Sequence, residues 1–348
     1  MHSTPLLTYN WNTMKLLITG GSGFIGSNFI KHWFANHPED SIINLDKMTY
    51  AANPRNLVEF ENNPNYKFVQ GDILDEKVVD DLVSQVDTIV HFAAESHVDR
   101  SIDDPSLFVR TNVLGTYNLL MAAKKYQKRF HHISTDEVFG TIELDSNDQF
   151  NEDTPYDPSS PYSASKASSD HLVRSFYKTF GLPITISNCS NNYGPYQHPE
   201  KMIPRSITSL LSGGKIKIYG QGLNFRDWLH VEDHCRAIEM ILLNGKIGET
   251  YCIGGLKKGT SNMDLVNKLL KIMDKGEDSL EYVTDRPAHD NYAVNWVKIN
   301  RELGWEPKYD FESGLKQTVD WYTANTSWWQ ETKKEAEEFY IKLNSLKK

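Results

Sequence analysis

The chain has 348 residues, 39% hydrophobic and 24% charged, with a net charge of −9. That length builds one large or two modest domains around a well-buried core, and the acidic balance argues against a general nucleic-acid surface while leaving room for a local basic pocket. No apolar run nears the ~20 residues that span a bilayer, and three cysteines without metal-like spacing, Cys189, Cys235 and Cys252, fit a reducing cytoplasm.

Residues 1–13 lack the basic start and apolar block of a secretory signal and are expected to be a disordered extension. A short apolar strand over 15–19 runs into Gly20-Gly21-Ser22-Gly23-Phe24-Ile25-Gly26, and a helical pattern continues to about residue 37. Such glycines let a backbone turn tightly beside a pyrophosphate resting on the helix N-terminus, and a strand before and a helix after is the context the motif requires. The next strand, 41–45, ends at Asp46, where an acid accepts from a ribose diol and repels a 2′-phosphate; this favours NAD over NADP, with Lys47 blurring the repulsion. The ligand-free reading is a tight strand-to-helix turn and nothing more.

The alternation goes on: a strand over 66–70 ending at Gly71-Asp72-Ile73, a helix over 76–84, and a strand over 88–92 ending in the small residues Ala93 and Ala94 before Glu95 and Ser96. Small residues there leave space for a cofactor crossing the sheet edge. One long helix over 105–126 and a strand over 130–134 follow. Six or so such alternations predict an α/β fold, a Rossmann-like doubly wound parallel sheet.

That strand delivers Thr135-Asp136-Glu137, and a helix then carries Tyr162 and Lys166. Residues four apart share a helix face. A lysine beside a phenol lowers its pKa and makes a base usable near neutrality. Two adjacent, partly buried carboxyls cannot both ionise freely, so one can serve as acid and the other as base. The competing reading of Asp136 and Glu137 is a helix start with acids suited to its dipole. After the helix, which ends at 180 and carries Leu172, Phe176 and Phe180, a strand over 184–188 leads to Asn191-Asn192-Tyr193. The pattern then becomes loop-rich, with basic and aromatic islands containing Lys201, Lys217, Tyr219, Arg226, Arg286 and His289 that could cradle a diphosphate.

With these motifs in hand, the chain resembles the extended short-chain dehydrogenase/reductase superfamily from Met14 to about Tyr322, and within it the nucleotide-sugar 4,6-dehydratases. The Asp136-Glu137 doublet is the discriminating feature: related epimerases typically lack it, and GDP-mannose enzymes usually keep only the Glu. The resemblance implies a homodimer through the helices of 105–126 and 161–180. It implies NAD lying along Gly20, Gly23, Phe24, Ile25, Gly26, Asp46, Lys47, Thr49, Asp72, Ile73, Ala93, Ala94, Ser96, Thr111, Tyr162, Lys166 and Asn192. It also implies a nucleotide sugar, dTDP-glucose, facing Ser96, Thr135, Asn191, Lys201, Met202, Lys217, Tyr219, Arg226, Arg286 and His289. The implied reaction oxidises carbon 4, eliminates water across carbons 5 and 6, and returns hydride to carbon 6. Tyr162 with Lys166 is then the first base, Thr135 holds the 4-oxygen, Glu137 takes the carbon 5 proton and Asp136 protonates the departing hydroxyl. The expected division is a cofactor domain over 14–190 with 223–250 returning to it, a nucleotide-sugar domain over 191–222 and 251–330, and a peripheral helix over 331–348. Cys252, where relatives carry Asn, opens the choice between thymine and uracil, and with it a sister epimerase or UDP-sugar dehydratase. A catalytically silent NAD-binding regulator is the reading of another class; it has no need of the intact Thr135, Asp136, Glu137, Tyr162 and Lys166 set.

Overall fold

A computed structural model describes residues 13–143, 146–256, 259–284 and 291–346. The expected disordered extension lies outside these residues apart from Thr13, as do the expected site residues Arg286 and His289.

Seven parallel strands form the main sheet: β1 (Lys15–Thr19), β2 (Ser41–Asp46), β3 (Tyr66–Gln70), β4 (Thr88–His91), β5 (Arg129–Thr135), β6 (Ile184–Cys189) and β7 (Thr250–Ile253), in the order β7-β6-β5-β4-β1-β2-β3. The central strands β1, β4 and β5 are buried almost throughout because helices cover both faces. On one side α1 (Phe24–Asn36) packs with Leu16, Ile18, Trp33 and Ile238; on the other α2 (Glu76–Ser84) and α3 (Thr116–Tyr126) enclose Leu17, Val83, Leu120 and Phe130. The strand order reverses between β1 and β4, so a crevice opens at their carboxyl ends, the place where open α/β sheets bind ligands.

The helix expected over 105–126 is broken in character. A turn at Pro105–Phe108 passes into a π-helical stretch, Val109–Gly115, before α3. A π-turn inserts one residue and changes which side chains face inward. Here Asn112 is buried, with its side chain accepting from Glu95 N at 2.8 Å and donating to Ser165 Oγ at 2.9 Å. Helix α4 (Pro161–Phe180) begins with a reciprocal Ser160/Ser163 capping box and Pro161 in its first turn, and it stops at Gly181 in the left-handed region. Phe176 is in the core, whereas Phe180 is exposed.

The second unit has its own core, in which α5 (Met202–Leu211), α7 (Asn262–Ile272) and α8 (Phe311–Ala324) bury Ile207, Leu269, Leu315 and Tyr322 against Trp228. Helix α6 (Val231–Asn244) packs on α1. Two boundaries shift. Tyr251 to Ile253, expected in the second domain, belong to β7, because strand pairing with β6 buries Tyr251 and Cys252 completely. The tail helix α9 (Thr326–Leu346) is not simply peripheral: Trp328, Trp329 and Ala336 are buried, a small apolar face that its Lys/Glu-rich composition hid.

Candidate active site

The crevice is a cavity of about 750 Å³ running from the glycine turn, past the carboxyl ends of β4 and β5, into the second unit. Every expected cofactor and substrate residue within the described residues lines it. Gly20, Gly23, Asp46, Asp72 and Ala94 stand at one end, Tyr162, Lys166, Thr135 and Glu137 in the middle, and Lys201, Lys217, Tyr219 and Arg226 at the other.

At the cofactor end the glycines are required by contact. A Cβ on Gly20, whose φ is +73°, would lie 2.7 Å from the Ala93 backbone, and one on Gly26 would lie 2.4 Å from the Gly20 carbonyl oxygen. Helix α1 starts at Gly23 without a side-chain cap and without an acid in its first turn. Its free N–H groups and dipole therefore face the cavity with no anion of their own, which suits a diphosphate. Asp46 Oδ2 accepts from Ser22 N at 2.9 Å and Oδ1 from Met48 N at 2.8 Å, so the carboxylate is held at the end of β2 with further acceptor capacity. Lys47, expected to blur the charge there, forms its ion pair at 2.8 Å with Asp72 instead. These residues fit NAD. Gly26→Ala should therefore lower NAD retention and destabilise the fold by about 1–3 kcal/mol through overpacking; bound-NAD absorbance and a thermal melt check both, and a fully loaded, equally stable variant contradicts the assignment.

In the middle, β5 ends in Thr135, whose side chain accepts from Glu137 N at 3.3 Å and caps a single turn, Asp136–Phe139. The two acids diverge at that turn. Glu137 lines the cavity, whereas Asp136 is fully buried one layer behind, contacted by Thr135 Oγ1 at 3.3 Å on Oδ1, with Oδ2 unpartnered. Burial, then the charges of Glu137 and Asp227, hold the Asp136 carboxyl well above the usual range, so it stays protonated.

The expected effect of Lys166 on Tyr162 is not what the chain's own groups produce. Burial first, then Glu137 and Cys189, hold the Tyr162 phenol well above its ordinary value, against a hydrogen bond with Thr135. The Lys166 ammonium is engaged elsewhere, donating to the Ile133 carbonyl at 2.8 Å, and its own pKa falls to about 8, chiefly by burial.

At the far end Lys201 Nζ donates to the Ser96 carbonyl at 3.1 Å, tying the second unit to the loop after β4. Asn191 and the unanticipated Asn262 both line the cavity, each with a buried, unpartnered Oδ1. Cys189 and Lys333 of α9 are further lining residues that no motif flagged, and Glu95 lines the cavity with them. Cys252 is fully buried among Val138, Phe150 and Val294 and is not one of the lining residues.

A glycine-turn cofactor end joined to a Tyr-x-x-x-Lys helix and a second, anion-ready unit defines an extended short-chain dehydrogenase/reductase that works on nucleotide sugars. The family model described as GDP-mannose 4,6 dehydratase matches residues 17–318. A dTDP-glucose 4,6-dehydratase of Mycobacterium tuberculosis (strain CDC 1551 / Oshkosh) is 50% identical over 94% of this chain and 98% of its own. Its Escherichia coli counterpart is 48% identical over 95% and 99%. DesIV, the dTDP-glucose 4,6-dehydratase of Streptomyces venezuelae, crystallised with NAD and dTDP, superposes with a TM-score of 0.88 at 46% identity, covering 92% of this chain and all of that one. The chain belongs to this family, and within it to the dTDP-glucose 4,6-dehydratases.

Proposed function

We infer that this chain dehydrates dTDP-glucose to dTDP-4-keto-6-deoxyglucose, with NAD regenerated in each cycle. The observation that carries the reading is the divergent doublet: one carboxyl on the cavity wall and one buried and protonated, beside Tyr162. NAD, when bound, would supply the acceptor and later the donor of hydride. Tyr162 takes the proton of the 4-hydroxyl, and Thr135 hydrogen-bonds the same oxygen. The ketone formed acidifies the carbon 5 proton, which Glu137 removes and later gives back. Asp136 provides the proton that leaves with the 6-hydroxyl as water; the buried carboxyl reaches the cavity through the Thr135 hydroxyl it contacts. Counting protons, Tyr162 ends the cycle with one more and Asp136 with one fewer. Thr135, hydrogen-bonded to both, is the place where that difference is returned.

Lys201, Lys217 and Arg226 hold the diphosphate, with Asn191 and Asn262 offering buried polar atoms to the nucleotide. We place the enzyme in the cytoplasm as a homodimer. Support comes from three buried, unpaired cysteines, from the lack of a membrane-length apolar helix among the described residues, and from exposed Leu114, Tyr117, Met121, Tyr177 and Phe180 on the two helical segments expected to pair.

Tyr162→Phe removes the first proton acceptor and should lower turnover ~10²–10⁴-fold with no transient reduced-nicotinamide absorbance; undiminished absorbance in a single turnover excludes the role. A panel of dTDP-, UDP- and GDP-glucose, read for a carbon 6 methyl signal in product NMR, tests the substrate: dTDP-glucose is expected to give it, and preferential turnover of another member refutes the assignment.

A further inference from the structure

Tyr162 and Lys166 begin a stripe along α4 that Asp170 and Arg174 continue at the same four-residue spacing. Asp170 is fully buried, and the steps above do not use it. A buried carboxylate persists only when hydrogen-bonded and paired, and Asp170 is supplied from three directions. Its Oδ2 accepts from Ser134 Oγ of β5 at 2.9 Å, from Asn188 Nδ2 of β6 at 3.2 Å and from the Tyr156 hydroxyl at 2.7 Å, which in turn accepts from Arg174 at 2.7 Å. Its Oδ1 stands 3.2 Å from His132 Nε2. That same imidazole nitrogen is 3.4 Å from Lys166 Nζ. The ring therefore sits between a buried cation and a buried anion, all three on the side of α4 that faces β5.

We propose that Asp170 is a positioning residue: its carboxylate is the fixed counter-charge that keeps the Lys166 ammonium charged and seated on the Ile133 carbonyl, with His132 as the spacer between them. This rests on the reading of Tyr162, assisted by the Lys166 ammonium, as the first base.

The groups around Lys166 leave that part to Asp170. His91 on β4 and His132 on β5 are both driven below their ordinary range, mainly by burial, so both rings are neutral. The Cys189 thiol on β6 is pushed up to about 12 by burial, and Tyr162 and Asp136 are likewise held protonated. Glu137 on the wall acts on Tyr162. Burial alone would raise the Asp170 carboxyl, but its hydrogen bond with His132, then the charge of Lys166 and the hydrogen bond from Tyr156, bring it below the usual range, so it is ionised. The sign follows. An anion beside an amine raises the amine's pKa, so removing the anion lets Lys166 lose its proton at lower pH.

In the full-length holoenzyme, kcat and KM for dTDP-glucose are measured against pH for the native chain, Asp170→Asn and Asp170→Glu. The alkaline limb of kcat should move down by about one pH unit or more in Asp170→Asn, KM should stay close to native, and Asp170→Glu should restore the limb. Asp170→Ser, neutral and smaller, gives the same reading if the Asn variant does not fold. A neutral variant with a lower kcat but a limb at the native pH means a purely packing role and overturns the proposal, as does a limb that moves equally in Asp170→Glu. If the native enzyme itself shows no alkaline limb, it is the role of Lys166 that fails.

Discussion

Asp136→Asn should leave the protein as stable as the native chain, or more so, while lowering turnover ~10²–10⁴-fold. The two effects part because the native carboxyl is buried and held protonated. Above the ~pH 4 at which a free aspartate ionises, the unfolded chain gives up this proton and the folded chain keeps it. Native Asp136 therefore costs stability that grows from about pH 4 upward until its raised folded-state pKa is reached, and an amide at the same place has no such cost. The amide has no acidic proton for the departing hydroxyl, so elimination stalls after carbon 4 is oxidised. Thermal melts at neutral and acid pH, with single-turnover absorbance, check both halves. A variant that melts much lower at neutral pH would show that Asp136 is ionised and paired.

Glu137→Gln is expected to stop the reaction at the same intermediate for a different reason. Glu137 stands on the cavity wall, so the exchange leaves shape and packing nearly unchanged while removing the base for the carbon 5 proton. Binding of NAD and of dTDP should stay within a few-fold of native, reduced nicotinamide should accumulate on the enzyme, and methyl-bearing product should fall ~10²–10⁴-fold. Near-native product formation would falsify the role given to Glu137. The pair separates by hydrogen exchange at carbon 5. Glu137→Gln should block exchange with deuterated solvent, whereas Asp136→Asn, with its base intact, should allow it.

Most of the cofactor half was legible in the sequence because its signals are local. A glycine turn between a strand and a helix, an acid at the end of the second strand, and a tyrosine and lysine one helical turn apart each fix geometry within a few residues. The charge state of Tyr162 was not legible, since it depends on burial and then on Glu137 and Cys189, which the turn after β5 and the end of β6 bring near it. The separation of Asp136 from Glu137 was equally hidden, because adjacent residues in a single capped turn can face opposite ways. Asn262 and Lys333 reach the cavity from helices with no motif, placed there by packing of the second core. The tail was read from its charges, although Trp328, Trp329 and Ala336 decide where it docks.

The central claim is that one sugar is oxidised and reduced again within a single site, at two different carbons. Supplying dTDP-glucose that carries deuterium at carbon 4 tests this most directly. The label should be recovered in the carbon 6 methyl group of the product, with none lost to solvent. Deuterium found back at carbon 4 of an epimerised sugar, or washed out into water, contradicts it.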